Sequence, residues 1–313
     1  MKVLALIAGG LGNQIQMTAA IRTLRERFGI GVEIMATGAP TGGDELRQLF
    51  AVPAHSMNWW ARPETFEGVI ALTYAASKIP NRFHGLRVLN NPARQAVRAD
   101  WSEVDTSMNA CRDVGVGEDD LIWHGELQKP DVDEPFDVVI SNGYYRNQSH
   151  YWAVKGYPHF KTLVEAIHAT WPNLSLCSIG HLAEEHIPGT VDKTRIPLAM
   201  SLGLIANAKF VVSTDSMAFH AAPVYDVPTF ALFTATSVAK NADLRFHATA
   251  RIIGREDLRL GCRRMCQEQE HRWNRCTNWE CQNISVEQII EVIANDESRW
   301  RNRRAPEDAP VHV

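Results

Sequence analysis

The segment Ser213-Thr214-Asp215-Ser216-Met217-Ala218-Phe219-His220 sets a carboxylate, hydroxyls and an imidazole within eight residues, between two apolar runs. Before it stands Ala208-Lys209-Phe210-Val211-Val212, and after it Pro228-Thr229-Phe230-Ala231-Leu232-Phe233. The pattern reads as strand, turn, short helix, strand, and the bond between strand and helix is where open α/β sheets bind ligands. A helix opening at Ser216 would aim unpaired backbone N–H groups at its surroundings, so phosphate is the natural guest and an N-cap without a guest is the alternative. Lys155-Gly156-Tyr157-Pro158 precedes a helical pattern, and its lysine can meet a phosphate as a point charge. Thr234-Ala235-Thr236 follows the apolar run ending at Phe233, so its hydroxyls suit phosphate or sugar as well as an ordinary turn.

Two further groups of residues carry chemistry. Gly9-Gly10-Leu11-Gly12-Asn13-Gln14 lies between a first strand and a first helix, but lacks the GxGxxG spacing of a dinucleotide fingerprint. Cys262, Cys266, Cys276 and Cys281 run as CxxxC and CxxxxC, which suits a tetrahedral zinc or an iron ion, with free thiols the equal alternative; His271 can replace one of them. Asp44, Glu45, His55 and His84 fall in loops of the first half and are candidate bases, Asp44 foremost. Trp59, Trp60, Tyr74 and Phe83 offer aromatic faces on which sugars stack, or else ordinary core.

These residues need elements to hold them. Strands are expected over 3–8, 32–36, 68–72, 119–123, 137–141 and 174–179, and helices over 14–27, 46–50, 160–171 and 198–206. Gln128-Lys129-Pro130-Asp131-Val132-Asp133-Glu134-Pro135 is the best linker, which puts a domain boundary near residue 135. Two βα-repeating halves, 1–135 and 136–313, predict an α/β protein of two Rossmann-like domains facing a central cleft. The tail 301–313 mixes arginines, prolines and acids and is expected to be mobile or draped on the surface.

The 313 residues are enough for two such domains. A formal charge of −4 gives no bulk attraction to nucleic acid. No run reaches the ~18 apolar residues of a membrane span, and the first ten residues suit a strand better than a signal peptide, so a cytoplasmic chain is expected. In that compartment the six cysteines are read as thiols or metal ligands rather than disulfides.

The order of these motifs resembles the ADP-heptose glycosyltransferases of the lipopolysaccharide heptosyltransferase family: Gly-rich turn, Lys-x-aromatic-Pro loop, Asp-Ser-x-x-x-His, Pro-Thr-x-x-Leu-Phe strand, then a cysteine cluster before a helix. The resemblance covers about residues 137–292 together with 1–28. It implies the GT-B fold, with an acceptor-binding domain over 1–135 and a nucleotide-sugar-binding domain over 136–313 that carries the Cys-rich loop 262–281 and a C-terminal helix. It implies an inverting transfer of a heptose-like sugar to a glycan or protein acceptor, with no cofactor for catalysis. The implied donor-binding set is Gly12, Lys155, Thr214, Ser216, Met217, His220, Thr234 and Thr236, with Asp215 nearest the sugar.

The departures are chemical. The family pattern has its aspartate base where this chain has Asn13, and an amide cannot take a proton from a hydroxyl. Either another carboxylate or histidine does that work, or the protein is slow, or it is a non-catalytic nucleotide-sugar binder. Met217 replaces the family's glycine, and Thr234-Ala235-Thr236 its Gly-Pro-Thr. Gly10-Leu11-Gly12-Asn13-Gln14 also resembles the GDP-fucose-using fucosyltransferases, for which Arg146 or Arg195 would meet the diphosphate.

Overall fold

The computed structural model describes residues 2–29, 31–37, 42–56, 66–73, 87–91, 102–143, 155–181, 184–254 and 279–303. The chain forms two compact units, Met1–Gln128 with Ala239–Ala248, and Lys129–Val238 with Thr249–Val313. The division thus falls at the start of the Lys129-Pro130 stretch, and a ten-residue segment late in the sequence belongs with the first unit.

The first unit opens with β1 (Lys2–Ala8), whose residues after Lys2 are all buried. A run buried on both faces is what a central parallel strand requires. The turn at Gly9-Gly10 leads into α1 (Leu11–Gln16) and α2 (Thr18–Phe28), which break at Met17 where a single helix over 14–27 is predicted. Leu11, Gly12 and Asn13 therefore start a helix rather than extend the turn. Then follow β2 (Gly31–Thr37), α3 (Gly43–Leu49), β3 (Ala54–Ser56), β4 (Gly68–Ala71) and α4 (Glu103–Asp113). The sheet is parallel in the order β3-β2-β1-β4, with Leu4, Leu6, Met35, Phe66 and Val69 in its core. The strand expected over 119–123 is absent: Glu118–Asp120 is a 3₁₀ turn, and the Ile122 N–H donates to Thr23 Oγ1 at 2.9 Å instead of to a neighbouring strand. Three consecutive acids cannot supply the apolar face that a strand buries.

The second unit runs β5 (Val138–Ser141), α5 (Phe160–Thr170), β6 (Leu176–Gly180), β7 (Val191–Thr194), α6 (Leu198–Asn207), β8 (Phe210–Thr214), α7 (Met217–Ala221) and β9 (Thr229–Phe233). After α8 (Val238–Asn241), which from Ala239 on belongs with the first unit, the second unit continues with β10 (Ala250–Gly254), α9 (Val286–Asn295) and α10 (Glu297–Trp300). All neighbouring strands pair in parallel, in the order β10-β9-β8-β5-β6-β7. One apolar core joins Val138, Ile140, Phe160, Phe210, Phe230, Ile289 and Trp300. Of the tail expected to be mobile or draped on the surface, residues 301–303 are described, and there the Arg303 guanidinium donates to the carbonyls of Ala206, Ala208 and Tyr225. Among the described residues no helix is long and apolar enough to cross a membrane.

Candidate functional site

In the second sheet the chain leaves β5 toward β6 and β7, then returns to place β8, β9 and β10 on the other side of β5. Strand order reverses between β5 and β8, so a crevice opens outside their C-terminal ends. Ser141, Asn142 and Gly143 leave one side of it, and Asp215 and Ser216 the other.

Asp215 is the electrostatic centre of this edge. Lys155 Nζ lies 3.5 Å from its Oδ2, with only 14% and 6% of the two side chains exposed. His220 Nε2 lies 3.4 Å from Oδ1. Burial by itself would raise the carboxyl, but the Lys155 charge and the His220 contact outweigh it and hold Asp215 well below the usual carboxylate range. The Thr236 hydroxyl, buried beside them, adds a smaller lowering without reaching hydrogen-bond geometry. Asp215 is thus a fixed anion throughout the physiological range.

The hydroxyls predicted to hold donor phosphates partly serve as scaffold. Thr234 Oγ1 donates to the Lys155 carbonyl at 2.9 Å, which ties the lysine loop to the end of β9. Thr214 Oγ1 donates to the Asn142 carbonyl, and Ser213 and Ser216 hydroxyls meet at 2.8 Å. Ser216 and Met217 remain partly exposed at the rim. The helix that follows, α7, has five residues and its Ser216 cap makes no side-chain capping bond. The helix-end anion site expected from the sequence is therefore reduced to little more than one turn, and side chains carry the charge.

Beside this cluster is a pocket of about 260 Å³ lined by Asn142, Tyr157, Pro158, Glu184, Ile187 and Gln282 among others. The Asn142 side chain accepts from the Tyr157 N–H at 2.9 Å, and Gln282 donates to the Gly156 carbonyl at 2.8 Å, so the wall is braced at both ends. Burial pushes the Glu184 carboxyl up to about 7, against backbone N–H groups of His181 and Gly143 that lower it. A carboxyl raised in the folded state binds more protons there than in the unfolded chain. Its contribution is complete below the unfolded value, near 4.5, and is lost as pH rises through about 7. Glu184→Gln is accordingly expected to flatten the fall in stability between those values, by at most about 3 kcal/mol at pH 8; unchanged pH dependence in urea titrations would contradict this.

In the first unit, Asn13 occupies the third position of α1. Its Oδ1 accepts from the Gly10 N–H at 3.2 Å and its Nδ2 donates to Glu103 Oε2 at the start of α4. Lys240 Nζ stands 3.6 Å from Glu103 Oε1. Asp44 is 87% exposed and pairs with Arg47 on its own helix. His55 pairs with Glu33 at 2.8 Å. Glu45 lies in the first turn of α3. His84, Trp59, Trp60, Tyr74, Phe83 and Arg146 lie outside the described residues. Arg195 follows β7, the edge strand two places away from β5.

The structure thus draws Lys155, Thr214, Asp215, Ser216, His220, Thr234 and Thr236 to one sheet edge, while Gly12, Asn13 and Asp44 belong to the other unit. Reading the sequence missed Glu103, Glu184, Asn142 and Gly143. Asn142-Gly143 directly follows a predicted strand, and that placement was the one available signal. Of the cysteine cluster, Cys262, Cys266, Cys276 and the neighbouring His271 lie outside the described residues; Cys281 is buried against Ala235 and Trp279. Among the described residues no three His, Cys, Asp or Glu side chains gather as a metal site. Cys111 and Cys177 are thiols that burial pushes up to about 12, so both stay protonated.

No protein-family model matches the sequence, and no curated protein matches it either. Solved structures do. A glycosyl transferase family 9 protein from Veillonella parvula aligns with a TM-score of 0.65 at 11% identity, over 96% of this chain and 97% of its own. ADP-heptose lps heptosyltransferase II of E. coli aligns at 0.62 and 16% identity, over 94% and 98%. The iron-containing dodecameric glycosyltransferase TibC from enterotoxigenic E. coli aligns at 0.62 and 15% identity, over 94% of this chain and 77% of its own. At such low identity the likeness is one of fold: this α/β chain of two parallel sheets has the GT-B fold of the heptosyltransferases.

Proposed function

We propose that the protein is an inverting glycosyltransferase that moves a heptose-like sugar from a nucleoside-diphosphate donor to a hydroxyl of a glycan or protein. The observation that carries this reading is the buried Lys155–Asp215–His220 cluster at the switch point of the second sheet. Lys155 supplies positive charge for the diphosphate, and the fixed anion Asp215 accepts hydrogen bonds from sugar hydroxyls. The pocket beside Glu184, about 260 Å³, is below the ~300–1,000 Å³ of complete ligand sites, so it suits the nucleoside with the diphosphate and sugar extending toward Asp215. The heptose-like donor draws support from the fold relatives, two of which are described as ADP-heptose enzymes.

In the transfer, the acceptor oxygen attacks the anomeric carbon from the face opposite the diphosphate. A new C–O bond forms as the bond to the diphosphate oxygen breaks, and the electron pair leaves with the nucleoside diphosphate. Such chemistry needs charge neutralisation at the leaving group and a base for the acceptor, and no cofactor. Thermal shift against ADP-, GDP- and UDP-sugars should find one that stabilises the chain, by about 2.7 kcal/mol at a hundredfold excess over Kd. If none does, the reading fails.

Asn13 supports a second reading, a protein that binds the donor without turning it over. Release of nucleoside diphosphate upon addition of donor and acceptor would exclude it.

A further inference from the structure

We infer that Glu184 is a positioning residue of the donor site, acting through Gly143 on the Asp215-Ser216 turn, an assignment that rests on the glycosyltransferase reading above. All of the residues concerned belong to the second unit. The chain leaving β5 supports the Asp215 turn at three points. The Asn142 carbonyl accepts from the Thr214 hydroxyl, the Ser141 and Ser216 hydroxyls stand 3.5 Å apart, and a Cβ on Gly143 would run into the side chains of Ser216 and Thr214. Gly143 itself is left-handed, at φ +62°, so the place of its backbone depends on what its polar groups bond to.

The Glu184 carboxyl supplies that bond. It accepts from the backbone N–H groups of Gly143 and His181, which ties the chain after β5 to the chain after β6. Gly180, the last residue of β6, leaves the room for it. The three nearest neighbours of a Cβ there would all be atoms of Glu184, with Oε2 at 2.6 Å and Cβ and Cδ at 3.1 Å.

An ionised carboxylate binds N–H groups more strongly than a neutral carboxyl, so the hold on Gly143 is firm when Glu184 is charged and loosens when it is protonated. Burial puts that change at about 7, against the pull of the two N–H groups. Tyr157 and Lys161, before and on α5, and Glu185 and His186, next in the chain, line the same pocket, while Asp215, paired with Lys155 and His220, sits in the turn that Gly143 supports. Because the ionised form keeps the diphosphate turn in place, donor binding draws a proton off Glu184. Donor affinity therefore rises as pH passes upward through about 7.

The experiment measures, on the full chain, the calorimetric Kd of ADP-glucose, GDP-mannose and UDP-glucose from about pH 6 to about pH 8, a range in which the diphosphate of a nucleotide sugar does not titrate. For the one that binds, wild-type affinity is expected to be about fivefold higher at the upper end than at the lower. Glu184→Gln has the shape of the protonated carboxyl, so it should bind about fivefold more weakly than wild type at about pH 8 and match it at about pH 6. Gly180→Ala displaces the carboxylate without altering it and should weaken binding in the same way, with the double variant losing no more than either single one. A role in folding alone would lower stability and leave the pH dependence of Kd as in wild type. The inference is overturned if Glu184→Gln keeps the wild-type Kd or its pH profile, or if the losses of the two single variants add. Binding that is indifferent to Glu184 removes this inference alone, whereas a wild type that binds none of the three probes removes the glycosyltransferase reading and this inference with it.

Discussion

Lys155→Met is expected to destabilise the protein by about 3 kcal/mol at neutral pH and to weaken donor binding at least about tenfold. Removing one partner of a buried ion pair leaves the other charge uncompensated, typically at a cost of about 3–5 kcal/mol. Asp215 keeps its contact with His220, which puts the expectation at the lower end. The pH dependence gives the effect a signature. Because the folded-state carboxyl of Asp215 is depressed, its contribution is full above the unfolded value, about 3.9, and is lost as pH falls through the folded one. Without Lys155 the depression is smaller, so the stability gap between wild type and variant should narrow from about pH 5 down to about pH 2. Urea titrations across that range, with calorimetry of donor binding at pH 7, check both parts. A variant as stable as wild type at pH 7 would show that the pair is not what anchors Asp215.

The second large effect concerns a backbone position. Gly143 has φ +62° directly after β5, and a Cβ there would press on the Ser216 side chain, 2.8 Å from its Oγ and 3.0 Å from Thr214 Oγ1. Gly143→Ala therefore combines left-handed strain of about 1–2 kcal/mol with overpacking of about 1–3 kcal/mol. About 3 kcal/mol in total is expected, together with a donor affinity lower by about tenfold or more, since the displaced atoms are those of the Thr214–Ser216 turn. Gly29→Ala provides the comparison: its φ is +56° but nothing lies within 4 Å of the added atom. It should cost only the strain, about 1–2 kcal/mol, with donor binding intact. Equal losses for the two glycines would mean that Gly143 does not press on the turn.

Much of the architecture was legible along the chain because it is written in short-range periodicity. Val3 to Ala8, Val138 to Ser141 and Phe210 to Thr214 are buried on both faces, and their unbroken apolar runs announce parallel strands. The Asp215 turn and the Thr234 turn were recognisable because each follows such a run, and the lysine loop because it precedes a helical pattern. The break between α1 and α2 at Met17 was not, since Gln14 to Arg27 keeps helical spacing through it. The acidic 118–120 segment misled in the other direction: Leu121, Ile122 and Trp123 look like the start of a strand, yet the Leu121 N–H closes the 3₁₀ turn onto Glu118 and the Ile122 N–H is taken by Thr23 on α2.

By itself the sequence determined that this is an α/β chain with two βα-repeating halves, that Asp215 and His220 follow a strand in a polar turn and that Lys155 lies on a loop before a helix. Those conclusions need only local pattern, because a side chain's burial within a strand or helix follows from its neighbours two to four residues away. The tertiary structure decided which groups meet. Asn13 and Glu103 are 90 positions apart, and Lys240 reaches Glu103 from still farther along the chain. The order of strands in each sheet, not any motif, brings such residues to one edge. Glu184 is likewise an ordinary acid in the sequence, and its carboxyl rises to about 7 because the folded chain removes its water.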